Sequence, residues 1–241
     1  MIAVTCEQGT DDWRRARMGI PTASQFDRIL TPKQRKLAAG RFTYRNELLA
    51  EWYFGQPVDT PATQFMVRGT ELEPEALARY ELEFRCDVQR VGFVTSDDGR
   101  CGCSPDGMID GKNGLEIKSY GAVHHIGLLL NPDDEAHVCQ VQGSVFITGG
   151  DYWVLMRYHP SLPPVYVRAV RDEGFISDLS SAIDQFCDEL AEAKERLQVM
   201  GVKPLPPRPQ SNPSSDNYHG RTGDRSIWEE CVVAMVKITA A

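Results

Sequence analysis

The chain has 241 residues, 41% of them apolar, and a formal net charge of −8, which suits one domain of ordinary size with room for an appendage. No run approaches the ~18 apolar residues of a membrane span, and the start Met1-Ile2-Ala3-Val4-Thr5-Cys6-Glu7 lacks the basic residues and long apolar stretch of a signal peptide. The acidic balance argues against a protein that simply coats nucleic acid.

The seven cysteines are scattered, and Cys101 and Cys103 are spaced for neither a zinc knuckle nor a redox pair. Reduced thiols are expected, in the cytoplasm, or in the bacterial host cytoplasm if the chain is phage-encoded. Positive charge concentrates early, at Arg14, Arg15, Arg17, Arg28, Lys33, Arg35, Lys36, Arg41 and Arg45. This stretch, Lys33 and Arg35 included, could form a local DNA-binding surface, although solvated helix faces also collect Lys and Arg. Thr22-Ala23-Ser24-Gln25 has the form of a capping box, followed by Phe26, Ile29 and Leu30 as an apolar helical face. Ser24 then falls in the first turn, where unpaired N–H groups and the helix dipole favour an anion. Arg17 could close on the same spot across Gly19-Ile20-Pro21. A capped helix with an exposed arginine is the stronger reading of these residues alone.

Residues 42–54 are apolar at helical spacing and stop at Gly55 and Pro57. A further helix is expected over 70–84, with Pro74 near its start. Leu77, Tyr80 and Phe84 follow Glu73 at helical spacing, so Glu73 points along an apolar stripe. A carboxylate aimed inward needs a partner, a metal or a proton; Thr70 and Glu73 also have capping-box spacing, and the two readings stand level. Strands are expected over 88–95, 102–109 and 115–120, then a short helix over 137–148. A strand pair follows over 152–158 and 165–170, and a long amphipathic helix over 174–200. The pattern is an α/β fold, a central mixed sheet flanked by helices. Residues 202–225, rich in Pro, Ser and Asn, read as a flexible linker. Residues 226–241 read as a short apolar docking segment, which leaves 1–201 as the folded domain.

Between the second and third of those strands lies the most informative stretch. Asp106 precedes a turn, Asp110-Gly111-Lys112-Asn113-Gly114, that carries both Asp-Gly and Asn-Gly, strong hairpin signals. In the strand that follows, Glu116 and Lys118 share one face while Leu115 and Ile117 share the other. Asp106 can then meet Glu116 and Lys118 at one point. Two carboxylates can hold a hard divalent cation and an adjacent ammonium can orient or deprotonate water, the minimal kit for metal-assisted phosphodiester hydrolysis. By spacing alone, charges on such a strand more often face solvent.

Taken together, the chain resembles bacteriophage lambda exonuclease and its viral-recombinase relatives, within the PD-(D/E)xK restriction-endonuclease-like superfamily. Glu7-Gln8-Gly9, Trp13, Arg17 and Thr22-Ala23-Ser24 match the opening motif, and Gly69 with Glu73 matches the helix carboxylate motif. Cys103-Ser104-Pro105-Asp106-Gly107 and Gly114-Leu115-Glu116-Ile117-Lys118 match the core, and Gln140-Val141-Gln142 the helix after it. The likeness covers about the first 170 residues.

The resemblance implies a restriction-endonuclease-like core and specific roles. Asp106 and Glu116 would bind metal with the Ile117 carbonyl, helped by Glu73, and Lys118 would position or activate the attacking water. Two magnesium ions are implied, with manganese able to substitute. Arg17, Ser24, Ser104 and Gln142 fall where the family grips a 5′-phosphate, and Met66 where it inserts a strand-separating wedge. The implied activity is 5′→3′ digestion of one strand of duplex DNA from a 5′-phosphorylated end, leaving 3′ single-stranded tails for recombination by strand annealing. The implied partners are double-stranded DNA ends, two further copies in a ring-shaped homotrimer and a single-strand annealing protein, with no membrane. Ser119-Tyr120 stands where a more apolar pair or a proline is expected, and the C-terminus departs from the family type. The alternatives are a RecB-like repair nuclease or endonuclease of different polarity and, from another class, an inactive DNA-end-binding scaffold.

Overall fold

The computed structural model describes residues 1–58, 64–132 and 137–205. Its strands form two sheets. The smaller is antiparallel, made of β1 (Ile2–Val4), β2 (Phe93–Thr95) and β3 (Gly102–Cys103). The larger contains, in order, β4 (Gly107–Met108), β5 (Gly114–Ser119), β6 (Tyr152–Tyr158) and β7 (Val165–Val170). Within it β5 and β6 are parallel, with Gly114 opposite Trp153 and Ser119 opposite Tyr158, while the outer pairs are antiparallel. A parallel pair needs a crossover, which α4 (Ala122–Leu130) and α5 (Val138–Thr148) supply. The remaining helices are α1 (Asp11–Arg17), a 3₁₀ segment (Ala23–Arg28), α2 (Arg41–Phe54), α3 (Gln64–Phe84) and α6 (Glu173–Val199). The expected mixed α/β fold with flanking helices is the fold observed.

Apolar alternation decides which layer covers which face. Leu115 and Ile117 of β5, with Val154 and Met156 of β6, pack against Ala76, Leu77 and Tyr80 of α3. On the other face Trp153 and Leu155 meet Val141 and Val145 of α5. A strand buried on both faces is normally apolar throughout, so Glu116 and Lys118 in β5 mark a position held for something other than packing. A third cluster joins Phe26, Ile29 and Leu30 to Tyr44 and Leu48 of α2 and to Phe175, Leu179 and Phe186 of α6. Tyr44 and Phe186 stack there at 5.5 Å.

Several expected boundaries shift for identifiable reasons. The strand expected over 102–109 is two short pieces, because Ser104-Pro105-Asp106 carries the chain from one sheet to the other and Pro105 has no N–H for a ladder. The strand expected over 88–95 shortens to β2, with Gln89 and Met108 bridging alone. Helix α3 begins at Gln64 and runs through Pro74, so the capping box at Thr70 and Glu73 does not start it. The Thr22 box opens a 3₁₀ segment, and Thr22 makes no side-chain cap. Helices α1 and α4 have no counterpart among the expected elements. From residue 206 on, the expected linker and docking segment lie outside the described residues.

The Asp110–Gly114 turn is as expected. Asp110 Oδ1 accepts from the Lys112 and Asn113 amides at 3.2 and 2.9 Å, and Gly111 sits at φ +81°. Asn113 Oδ1 in turn accepts the amides of Asp151 and Tyr152 at 2.8 and 3.0 Å, tying the hairpin to β6. Gly114 lies against the Trp153 ring, and an added Cβ would come 2.3 Å from Cη2 and Cζ2 of a fully buried side chain. Gly114→Ala is expected to lower stability by about 1–3 kcal/mol through overpacking, measured as a shift in urea midpoint at unchanged slope. An unchanged midpoint would show that β5 and β6 are not seated as described.

Candidate active site

Asp106 reaches β5 at the point where the chain changes sheets. Its amide donates to Leu115 O at 3.2 Å, and its Oδ2 accepts the Ile117 amide at 2.6 Å. Glu116, 5% exposed, accepts at Oε1 from Lys118 Nζ at 2.7 Å and from Gln140 Nε2 of α5 at 2.6 Å. Glu73 enters from α3, with Arg90 Nη1 3.9 Å away. The structure thus brings Asp106, Glu116, Ile117, Lys118 and Glu73 to one cleft of about 570 Å³, with Tyr120 and His124 on its wall.

Charge in the cleft is unbalanced. Burial pushes the Asp106 carboxyl well above its usual range, and the charges of Glu116 and Glu73 push it further against the Ile117 amide and Lys118. Burial also raises Glu73, against the pull of Arg90, with Glu116 adding to the rise. Desolvation works against the Lys118 ammonium, yet Glu116 and Asp106 hold its pKa above the ordinary lysine value, so it stays protonated. Three carboxylates therefore face one ammonium, with the Arg90 guanidinium beside Glu73 as a further cation, and a hard cation would relieve the excess. Among the described residues no three His, Cys, Asp or Glu side chains close into a metal cage. The donor set that fits is two carboxylates and a backbone carbonyl completed by water, a set suited to magnesium.

A second cleft, of about 560 Å³, holds Arg17 with Trp13, Thr22, Arg28 and Tyr44. Arg17 Nη1 donates to Ser104 Oγ at 3.3 Å, and its guanidinium lies 4.3 Å from the Trp13 ring centroid. The Trp13 indole donates to the same hydroxyl at 2.9 Å and to Gly92 O at 3.1 Å. Burial lowers the Arg17 pKa against the attraction of Tyr44, Glu51 and Glu116. Among the described residues no carboxylate pairs with Arg17. A guanidinium held by a hydroxyl and an aromatic ring keeps its charge for an anionic group such as a phosphate.

Several of the other early basic residues meet carboxylates of this chain, some of them at the surface. Arg28 forks onto Glu47 at 2.7 and 2.8 Å, Arg41 meets Glu189 at 3.3 Å, and Arg14 and Arg15 pair with Asp11 and Asp12. Arg35 contacts Asp172 and Asp178 of α6 at 3.4 and 3.5 Å, and Lys33, like Arg35, is exposed. Ser24 is exposed too, its hydroxyl 3.3 Å from that of Thr22, and it is not among the residues that line the Arg17 cleft. Gln142 is not brought to Arg17. It donates to Val170 O at 2.8 Å and accepts the Asp172 amide at 3.0 Å, securing the entry to α6. Residues two apart on a helix face opposite ways, and Gln140 is the member of the pair that reaches the site. The side chain of Met66 lies outside the described residues.

Gln8 is a contributor that spacing did not mark with a role. Its Nε2 donates to Pro105 O at 2.6 Å and Val91 O at 3.1 Å, bracing the loop that carries Ser104 and Asp106. The signal lay in the opening Glu-Gln-Gly, but its target is 97 residues away.

The profile of the YqaJ-like viral recombinase domain matches residues 12–151, a span that holds both clefts. The chain belongs to this family. Among solved structures, an alkaline exonuclease from Laribacter hongkongensis is 30% identical, with a TM-score of 0.72 over 80% of this chain and 98% of its own. The same enzyme in complex with dAMP aligns equally well. A phage related exonuclease from Haemophilus somnus 129PT, 14% identical at a TM-score of 0.53 over 72% of this chain and 96% of its own, shares the fold. A search of curated proteins finds no match. YqaJ-like viral recombinases with alkaline-exonuclease relatives are nucleases, and this member carries a restriction-endonuclease-like fold.

Proposed function

We propose that the protein is a magnesium-dependent 5′→3′ exonuclease that degrades one strand of duplex DNA from a 5′-phosphorylated end. The observation that carries this reading is the pairing of two unlike clefts, one acidic and lined by the Lys118 ammonium, the other built on the half-buried Arg17 guanidinium, which reaches Ser104 two residues before Asp106. Asp106, Glu116 and the Ile117 carbonyl would hold the metal, with Glu73 assisting, in two-ion fashion as the resemblance implies. A bound divalent cation supplies Lewis-acid neutralisation of phosphoryl charge and makes water more acidic. Arg17 and Ser104 would hold the terminal phosphate with charge-assisted hydrogen bonds, which sets the scissile bond one nucleotide in. Lys118, kept protonated, orients the attacking water through its lone pairs. Water oxygen bonds to phosphorus, the P–O3′ bond breaks, and a proton returns to the departing 3′-oxygen. The dAMP complex of the Laribacter enzyme supports a site for a deoxynucleoside monophosphate.

The product, a duplex with a 3′ tail, suits a single-strand annealing partner, and a homotrimeric ring around DNA belongs to the same proposal. An acidic surface is compatible with a ring whose basic groups face inward. The reading is tested with linear and covalently closed duplexes of one sequence in magnesium. Only the linear form should be consumed, and cutting of closed circles would replace the exonuclease with an endonuclease.

The raised Asp106 pKa has a consequence for stability. Without metal, folded Asp106 binds its proton more tightly than the unfolded chain does, so folding is favoured in acid. Its contribution weakens as pH rises from the unfolded value of about 3.9 through the raised folded value. Magnesium binding to the ionised form should offset that loss. The rise in melting temperature on adding magnesium should therefore be larger near about pH 8 than near about pH 5 and vanish in Asp106→Asn. A pH-independent rise, or one retained by the variant, would place the metal elsewhere.

A further inference from the structure

The acidic cleft has a wall that the proposed chemistry leaves unused. β5 ends at Ser119, and Tyr120 N continues the ladder to Tyr158 O at 3.3 Å before Gly121 caps α4. The Tyr120 hydroxyl and His137 Nε2 are 2.9 Å apart, which fixes the phenol from a separate helix entry. His124, one turn into α4, stacks on the Tyr120 ring at 4.3 Å between centroids and 25° between planes. Tyr120 and His124 both line the cleft that holds Asp106, Glu116 and Lys118, and His124 is exposed. The pair is therefore a two-ring stack, tethered through Tyr120 to His137 and exposed at His124. Aromatic rings presented in this way receive nucleobases, whatever their sequence, because every base has a π-face. A lone solvent-facing histidine would not need its stacking partner anchored by a third residue.

We propose that Tyr120 and His124 form a base-stacking subsite for a nucleotide flanking the scissile phosphate, an inference that rests on the nuclease reading above. The base stacks on the free face of the His124 imidazole while Lys118 and the carboxylates engage the phosphate beside it. The subsite would hold the DNA strand between successive cuts and be indifferent to base identity.

The test uses the full chain with magnesium and a linear duplex, intact or carrying a single abasic nucleotide at the first or second position from the 5′-phosphorylated end. His124→Ala should slow digestion of the intact duplex about 10-fold, the scale of one lost base–aromatic stack. His124→Phe should restore most of that rate, since it keeps the ring and loses the nitrogens. On one of the two abasic substrates, wild type and His124→Ala should be cut at the same rate. The proposal fails if His124→Ala matches wild type on intact DNA, if its defect is the same on every substrate, or if His124→Phe is as slow as His124→Ala. The last outcome would make the imidazole a phosphate contact instead. Wild type that cuts no linear duplex would bring down the nuclease reading, a result distinguishable from all of these.

Discussion

Asp106→Asn should reduce magnesium-dependent cleavage of linear duplex by about three orders of magnitude or more, while the protein keeps its fold. The size follows from what Asp106 does. It supplies half of the carboxylate pair in the cleft, and losing a centre of preorganised charge stabilisation costs about 10²–10³ in rate even where only one donor is removed. Its carboxyl is enclosed, its neighbours Glu116 and Glu73 repel it, and the Ile117 amide at 2.6 Å holds it in place. Asparagine keeps an oxygen for that amide and removes the charge, so a loss of activity without a loss of stability isolates the metal role. Lys118→Ala should fall by about 10²–10⁴, the usual range for a positioned proton-handling or water-orienting group. Lys118→Arg should recover little, because the 2.7 Å contact to Glu116 fits a compact ammonium, not a planar fork. Steady-state rates with circular dichroism on the same preparations check both, and an Asp106→Asn enzyme with near wild-type rate would remove the metal site from this cleft.

The second large effect concerns which end is chosen. Arg17→Ala should lower kcat/KM on 5′-phosphorylated ends by about 10–100-fold, the worth of a charge-assisted hydrogen bond of roughly 1.5–3 kcal/mol. Cleavage of 5′-hydroxyl ends should change little, so the preference between the two ends collapses. Arg17→Lys should restore charge without restoring the preference fully, since lysine loses both the planar guanidinium that reaches Ser104 and the stack on Trp13. Because Arg17 is half-buried, melting curves must accompany the kinetics. Equal losses on both end types would assign Arg17 to general DNA attraction.

Local chemistry made the centre of the site legible. The Asp-Gly and Asn-Gly turn fixes the hairpin, and period-two alternation puts Glu116 and Lys118 on one face, so three residues could be placed from spacing. Glu73 was half legible, its carboxylate falling on an apolar stripe, though the same spacing suggested a helix start that continuous helix from Gln64 overrides. What could not be read depends on contacts between distant elements. The pairing of Gln8 with Pro105, of Trp13 with Ser104 and of Gln140 with Glu116 spans 97, 91 and 24 residues. In Gln140-Val141-Gln142 the motif alone does not say which amide faces the sheet, and the docking of α5 decides it. The surroundings of the basic cluster were hidden for a related reason. Its charge is visible in sequence, but the carboxylates that consume Arg35 and Arg41 belong to α6, far down the chain.

The most direct test of the central claim is strand polarity. A linear duplex carries a 5′-phosphate on one strand only, with each strand labelled internally by a different dye, and is digested in magnesium. The phosphorylated strand should be shortened progressively from its 5′ end, releasing mononucleotides and leaving its complement as a full-length 3′ tail. Loss of the complement from its 3′ end, or equal loss of both strands whichever carries the phosphate, would contradict the account.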